Sequence, residues 1–288
     1  MPELPEVETV RRGLAPVMEG RVFEHVRLNR ADIRFPFPDN FIARLQGVTL
    51  EQLSRRAKFL VAELSSGETL LMHLGMSGRF VIEAGTWPKS ENADSGTHNP
   101  KHDHVVFTMS NMGHGKDKPL IIYNDPRRFG FMELLKPGDL GRIEDLGPEP
   151  LSNNFSGPAL HAKLAGKKAP IKSALLDQRI VAGLGNIYVC EALFGAHISP
   201  LRLSNTLSAD ECELLSAEIK TTLQLAIEAG GSTLKDFAAV DGALGYFQHR
   251  FKVYDHKDDD CPDENCTGTI SRIKQSGRSS FYCEMCQK

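Results

Sequence analysis

The chain starts Met1-Pro2-Glu3-Leu4-Pro5-Glu6-Val7-Glu8, and those residues could do chemistry. A small residue behind the initiator allows Met1 to be trimmed, leaving Pro2 as a free secondary amine followed at once by carboxylates. An α-amine titrates at roughly pH 8, far below a lysine, so part of it is neutral and nucleophilic in the cell. Its attack on the anomeric carbon of a sugar gives a cationic iminium, which is an electron sink. Glu3 would then stand where a carboxyl can shuttle protons beside the amine. The same residues also suit a plainer role, because proline at a helix start and acids in its first turn are ordinary capping and dipole chemistry.

A second constellation lies near the other end. Cys261-Pro-Asp-Glu-Asn-Cys266 and Cys283-Glu-Met-Cys286 are two close cysteine pairs separated by 16 residues. Four thiolates in two tight turns match what tetrahedral zinc requires. Thr267 to Ile273 and Ser279 to Tyr282 read as short strands about a turn at Gln275-Ser-Gly277, which makes a zinc ribbon too small to fold without its metal. One structural Zn2+ held by Cys261, Cys266, Cys283 and Cys286 is expected. Disulfides are the alternative, but no signal-peptide pattern is present, and Cys190 and Cys212 would be left over as buried thiols.

The elements that must position these groups divide in order. Leu4, Val7, Val10 and Leu14 fall at helical spacing, with Gly13 near the expected stop. From about 21 to 135 the pattern is strand-like, with segments at 21–28, 58–64, 68–74, 104–109, 120–123 and 129–135. Many short strands with Gly and Pro turns argue a β-sandwich. Pro88 to Pro100 reads as a polar surface loop, and Gly147-Pro-Glu-Pro150 as a linker. Helical periodicity then takes over at 159–164, 171–176, 188–194, 209–229 and 234–237. The expected fold is therefore α+β: a catalytic β-sandwich domain with its N-terminal helix at 1–135, a linker at 136–150, a helical domain at 151–248 and the ribbon at 249–288.

At 288 residues and 41% hydrophobic, the chain can build two sizeable cores. No apolar run reaches membrane-spanning length, so a soluble cytoplasmic protein is expected. The net charge of −3 does not advertise a nucleic-acid partner, although clustering of Lys and Arg on one face matters more than the sum.

Six motifs run in order across nearly the whole chain: Pro2-Glu-Leu-Pro-Glu-Val-Glu-Thr9, His73-Leu-Gly-Met-Ser77, Asn124-Asp-Pro-Arg-Arg-Phe-Gly130, Gly183-Leu-Gly-Asn-Ile-Tyr188, Gly230-Gly-Ser-Thr-Leu-Lys-Asp-Phe237 and Gly277-Arg-Ser-Ser-Phe-Tyr-Cys283. Together they resemble the bacterial formamidopyrimidine-DNA glycosylases. The resemblance implies a β-sandwich, a helix–two-turn–helix domain and a zinc finger, with DNA in the cleft between the lobes. It implies a monomer acting at the bacterial nucleoid on double-stranded DNA that carries an oxidised purine or an abasic site. The activity implied is base excision of 8-oxoguanine and formamidopyrimidines, followed by β,δ-elimination at the resulting site.

Residue roles follow from the matched positions. Pro2 is the implied nucleophile, and Glu3 the donor to the sugar ring oxygen. Lys58 matches a proton donor in β-elimination, against the plainer reading of a surface lysine at a strand start. Arg278 matches the finger arginine tied to phosphate and the δ step, where a solvated hairpin tip is the alternative; guanidinium geometry suits bidentate phosphate contact. A base inside a duplex must be flipped out and its gap filled. Met76, Arg127 and Phe129 match the void-filling triplet, with core packing as the alternative for the two apolar members. Asn186 is expected to meet phosphate together with helix N-terminal amides. His102 and Lys167 match DNA-contact positions; His98, His102 and His104 read as a loop rather than a metal site. Glu6 shares a helical face with Glu3, which fits either support of the site or helix-start electrostatics. The loop from Glu228 to Phe247 corresponds to a segment that closes over the everted purine.

Two departures from the family pattern stand out. The first cysteine pair has four intervening residues where the family has two, and the acidic run Asp258-Asp-Asp260 precedes it. Thr86 to His102 and Asn111 to Lys118 read as polar surface insertions. Two other functions stay open on these residues: an endonuclease VIII-type enzyme preferring oxidised pyrimidines, and a zinc-ribbon protein that binds damage without cutting. Leu4-Pro5 and the Gly230–Phe237 motif favour the purine branch, and a non-cutting binder would have no need of Pro2 with Glu3, nor of Lys58.

Overall fold

The computed structural model describes residues 2–84, 99–111, 118–232 and 245–288. The expected surface loop from Pro88, both insertions in large part, the 234–237 helix and most of the Glu228–Phe247 loop lie outside the described residues. Contacts divide the chain into two compact units, Met1–Gly141 with Gly230–Gly245 and Arg142–Ala229 with Tyr246–Lys288.

In the first unit, helix α1 (Leu4–Met18) leads into an 8-stranded antiparallel sheet. Its strands are β1 (Arg21–Leu28), β2 (Thr49–Arg56), β3 (Phe59–Leu64), β4 (Thr69–His73), β5 (Arg79–Ala84), β6 (Asp103–Met109), β7 (Pro119–Asn124) and β8 (Phe131–Leu135). The order is β5-β7-β6-β1-β2-β3-β4-β8. Strand β1 pairs with β2 through Arg21 and Val22 and with β6 from Phe23 onward, so it serves two leaves. The leaves share one core: Leu60, Leu64, Leu70 and Met72 from one side meet Phe80, Val105, Phe107 and Ile121 from the other. The expected sandwich is thus observed, together with two strands (β2 and β5) and a short helix α2 (Phe41–Leu45) that hydropathy alternation did not reveal. Strand β2 runs Thr-Leu-Glu-Gln-Leu-Ser-Arg-Arg, and only Leu50 and Leu53 of it are buried, so it lacks a clean period of two.

Helix α1 extends to Met18, past the stop expected at Gly13 and through Pro16. A mid-helix glycine costs about 1 kcal/mol, but Leu14 and Met18 are completely buried, and burial of two such side chains outweighs that penalty. The helix packs against β2. Near its C-terminal end Glu19 accepts from the Leu53 amide, while near its start Glu8 meets Arg55 at 3.4 Å.

Glu8 also accepts from Arg11 at 2.8 Å and from Arg12 at 2.9 Å. Burial opposes its ionisation, yet the three guanidinium groups win and hold its carboxyl below the ordinary 4.5. A depressed acid stabilises the fold above its unfolded value, and that contribution is lost as pH falls through the folded value. Glu8→Gln should accordingly flatten the stability profile below pH 4.5, measured by chemical denaturation, relative to the steeper acid limb of the wild type.

The second unit holds α3 (Gly157–Leu164), α4 (Ile171–Leu175), α5 (Asn186–Gly195), α6 (Ala209–Glu228) and a hairpin of β9 (Ile270–Gln275) with β10 (Arg278–Cys283). Helix α6 opens with a capping box between Ser208 and Glu211, and Arg202 pairs with the same Glu211. The hairpin turn is Ser276-Gly277, both at positive φ, the two-residue geometry that matches strand twist. No helix among the described residues is long and apolar enough to cross a membrane.

Candidate active site

Pro2, Glu3 and Glu6 are all buried at the start of α1. Glu3 and Glu6 form a capping box, with Glu6 Oε2 accepting the Glu3 amide at 2.8 Å. The other oxygen of Glu6 accepts from the Ser232 amide at 2.9 Å and the Ser232 hydroxyl at 3.0 Å. One carboxylate thus caps the amino-terminal turn and ties it to the Gly230-Gly-Ser segment. Ser232 was not anticipated; a serine after two glycines offers no sequence signal that a residue 226 positions away receives it.

Lys58 is buried, with 8% of its surface exposed, which removes the surface-lysine alternative. It follows Ala57, whose φ of 53° puts an alanine in left-handed backbone. Arg55 donates to the Ala57 carbonyl at 2.9 Å while pairing with Glu8, so a guanidinium on α1's partner strand shapes the turn presenting Lys58.

Met76, Arg127 and Phe129 come from two neighbouring loops, after β4 and after β7. Phe129 is 42% exposed and Arg127 lies over its ring at 5.3 Å; neither is in the core. Met76 is half-buried. A cavity of about 550 Å³ opens beside them, lined also by Arg34, His73 and Arg128. Gly75, at φ +63°, lets the loops touch: a Cβ there would lie 2.3 Å from the Gly130 nitrogen. Gly75→Ala should cost about 3 kcal/mol through overpacking and left-handed strain, measured by urea denaturation. Half-buried His102 ends a short helical turn at Pro100–His102 in the same unit.

In the second unit, Asn186 is the first residue of α5 and its side-chain amide donates to the Ser279 carbonyl at 3.0 Å. The fully buried Lys172 donates to the same carbonyl and to Ser280 Oγ, both at 2.7 Å. These bonds hold the strand that starts with the exposed Arg278. Lys167 is exposed next to Gly166. Glu191, missed by sequence reasoning, receives the amides of Lys252, Val253 and Tyr254 at 2.8 to 3.1 Å. Burial pushes its carboxyl above the ordinary range despite those donors. It moors α5 to the segment leading into the cysteine cluster.

The four sulfurs of Cys261, Cys266, Cys283 and Cys286 lie within 4.8 Å of one another, with Cys261–Cys286 at 3.7 Å and Cys266–Cys283 at 3.6 Å. A tetrahedron of bonds about 2.3 Å long has edges of about 3.8 Å, so the widened first pair still brings its sulfurs to metal-binding spacing. Burial pushes the Cys261 thiol up to about 11, which a bound cation would reverse. The acidic run is partly neutralised by Lys257, which pairs with Asp258 at 2.8 Å, while His256 lies in hydrogen-bond contact with Asp259 at 2.8 Å.

Comparison with known proteins decides the family. The formamidopyrimidine-DNA glycosylase N-terminal domain matches residues 1–132, and the H2TH domain of the same glycosylases matches 146–238. The chain belongs to the formamidopyrimidine-DNA glycosylase family. It is 54% identical to the formamidopyrimidine-DNA glycosylase of Beijerinckia indica and 53% identical to that of Ruegeria pomeroyi, with all of both chains covered in each case. Among solved structures, the MutM (Fpg) protein of Thermus thermophilus shares 35% identity at a TM-score of 0.83, over 99% of this chain and 98% of that one. Lactococcus lactis Fpg in complex with abasic-site DNA matches at a TM-score of 0.84 and 32% identity, over the full length of both. A member of this glycosylase family has the α+β architecture read from the sequence.

Proposed function

We propose that this chain is a bifunctional glycosylase and AP lyase of base excision repair that removes oxidised purines from double-stranded DNA, with Pro2 as its nucleophile. The observation carrying this reading is the burial of Pro2 and Glu3 together at the head of α1. A carboxyl excluded from water beside an amine is suited to proton transfer, whereas a helix cap alone has no need of burial.

The chemistry runs through these groups in order. The Pro2 nitrogen bonds to C1′, and the oxidised base leaves with the electron pair of its glycosidic bond. Glu3 gives a proton to the ring oxygen as the sugar opens, which completes the iminium. That cation acidifies C2′, and loss of its proton expels the 3′ phosphate, assisted by Lys58. A second elimination expels the 5′ phosphate, with Arg278 on the phosphate oxygens. Met76, Arg127 and Phe129 fill the gap left by the flipped nucleotide, and His102, Lys167 and Asn186 meet the backbone. One Zn2+ on the four cysteines supplies the hairpin's rigidity and no chemistry. The protein acts in the bacterial cytoplasm at the nucleoid, as a monomer.

A duplex with 8-oxoguanine opposite cytosine, set against one with an oxidised pyrimidine, tests the assignment by strand cleavage under single turnover. Faster cleavage of the purine duplex is expected. A preference for the pyrimidine duplex would move the chain to the endonuclease VIII-type reading.

A further inference from the structure

The Asp125 side chain has no solvent exposure and no cation paired with it among the described residues, a costly placement for a carboxylate. Its hydrogen bonds explain it. Asp125 Oδ1 accepts from the Ser77 hydroxyl at 2.6 Å and the Arg127 amide at 3.2 Å, and Oδ2 from the Gly130 amide at 2.8 Å and Tyr123 at 3.3 Å. Ser77 accepts from the Arg127 amide as well, at 3.1 Å. The backbone of Asp125 is equally occupied: its amide donates to the His102 carbonyl at 3.0 Å, and its carbonyl accepts from His104 Nε2 at 2.8 Å. A single residue therefore bonds to the residue after Met76, to Arg127, to the residue after Phe129 and to His102. These are all the side chains of the first unit assigned to the duplex outside the amine site.

We propose that Asp125 is the positioning residue that sets the two gap-filling loops in register, so that Met76, Arg127 and Phe129 enter the duplex as one rigid wedge. The inference rests on the reading of those three side chains as the inserting set. Met76 stands on one loop, and Arg127 and Phe129 on the other; Ser77 links the two through its bonds to Asp125 and to the Arg127 amide, and the Asp125–Gly130 bond braces the second loop across Phe129. The close approach at Gly75 leaves room for those bonds but makes none itself. Preorganisation of this kind matters because a displacement of about 1 Å in a positioning group can cost on the order of 10²-fold in rate.

The test uses the full-length protein and a duplex with 2-aminopurine beside a tetrahydrofuran abasic analogue, whose fluorescence reports side chains entering the gap. Asp125→Asn keeps the volume but turns one acceptor oxygen toward donors as an amide. The inference predicts that insertion slows by roughly 10²-fold, that Ser77→Ala slows it less, and that the double variant is no worse than Asp125→Asn alone, as members of one network require. Met76→Ala/Arg127→Ala/Phe129→Ala serves as the control: if it retains the signal, the reading of the inserting set fails, independently of Asp125. With that control silent, wild-type insertion kinetics in Asp125→Asn would overturn the inference. So would a defect that vanishes on cooling to where the variant is as fully folded by circular dichroism as the wild type.

Discussion

Glu3→Gln will lower release of 8-oxoguanine by ~10²–10⁴-fold, the usual worth of a positioned general acid, while strand cleavage at a preformed abasic site falls far less. The separation follows from the chemistry. Release of the base requires a proton on the ring oxygen, and Glu3 is the buried carboxyl that follows Pro2 in the chain. An abasic sugar already opens to an aldehyde by itself, so the Pro2 amine condenses with it without that proton. Parallel loss of both activities at unchanged DNA affinity would assign Glu3 to the amine step instead. Single-turnover rates on the two duplexes decide between them.

The second large effect concerns the cysteines. Cys261 and Cys283 are buried within a small cluster made by Cys190, Phe194, Val253, Ile270 and Phe281. That cluster is too small to hold a two-stranded hairpin without help, and structural zinc contributes ~10–16 kcal/mol in comparable ribbons. Cys283→Ser is expected to lose the metal, read by atomic absorption, and with it the hairpin that presents Arg278. Binding to an abasic-analogue duplex should then fall by at least about 10²-fold, the lower bound set by losing more than about 2.7 kcal/mol of phosphate contact and order. The sheet of the first unit, whose core contains none of these residues, keeps its thermal transition. A metal-free variant with undiminished DNA binding would contradict the account.

How much of this was legible in the sequence depended on whether partners were near in the chain. The amine and its acids occupy consecutive positions, and the cysteines occur in two close pairs, so both groups could be read directly. Helices with strong periodicity, such as α6, and strands bounded by Gly turns, such as β3 and β4 around Gly67, were equally plain. Strand β2 was not, because its outward residues are Glu, Gln and Arg, and only its pairing with β1 and β3 makes it a strand. The end of α1 was misplaced because a glycine's local cost was weighed without the burial of Leu14 and Met18 that overrides it. Asp125 and Ser232 lie in motifs that the sequence shows, and Glu191 in a helical segment, but nothing in the sequence names their partners. Each receives donors from residues that adjoin it only after folding, and an acid in a loop motif looks the same whether it faces water or caps two loops.

In the proposed reaction the Pro2 nitrogen becomes covalently bonded to the DNA. Borohydride reduction during reaction with a duplex carrying 8-oxoguanine opposite cytosine, followed by proteolysis and mass spectrometry of the cross-linked peptide, tests it most directly. The account predicts an adduct on the peptide that begins with Pro2, and none when one extra residue precedes Pro2. An adduct on a lysine, or cleavage with no trapped species in the unmodified protein, would contradict it.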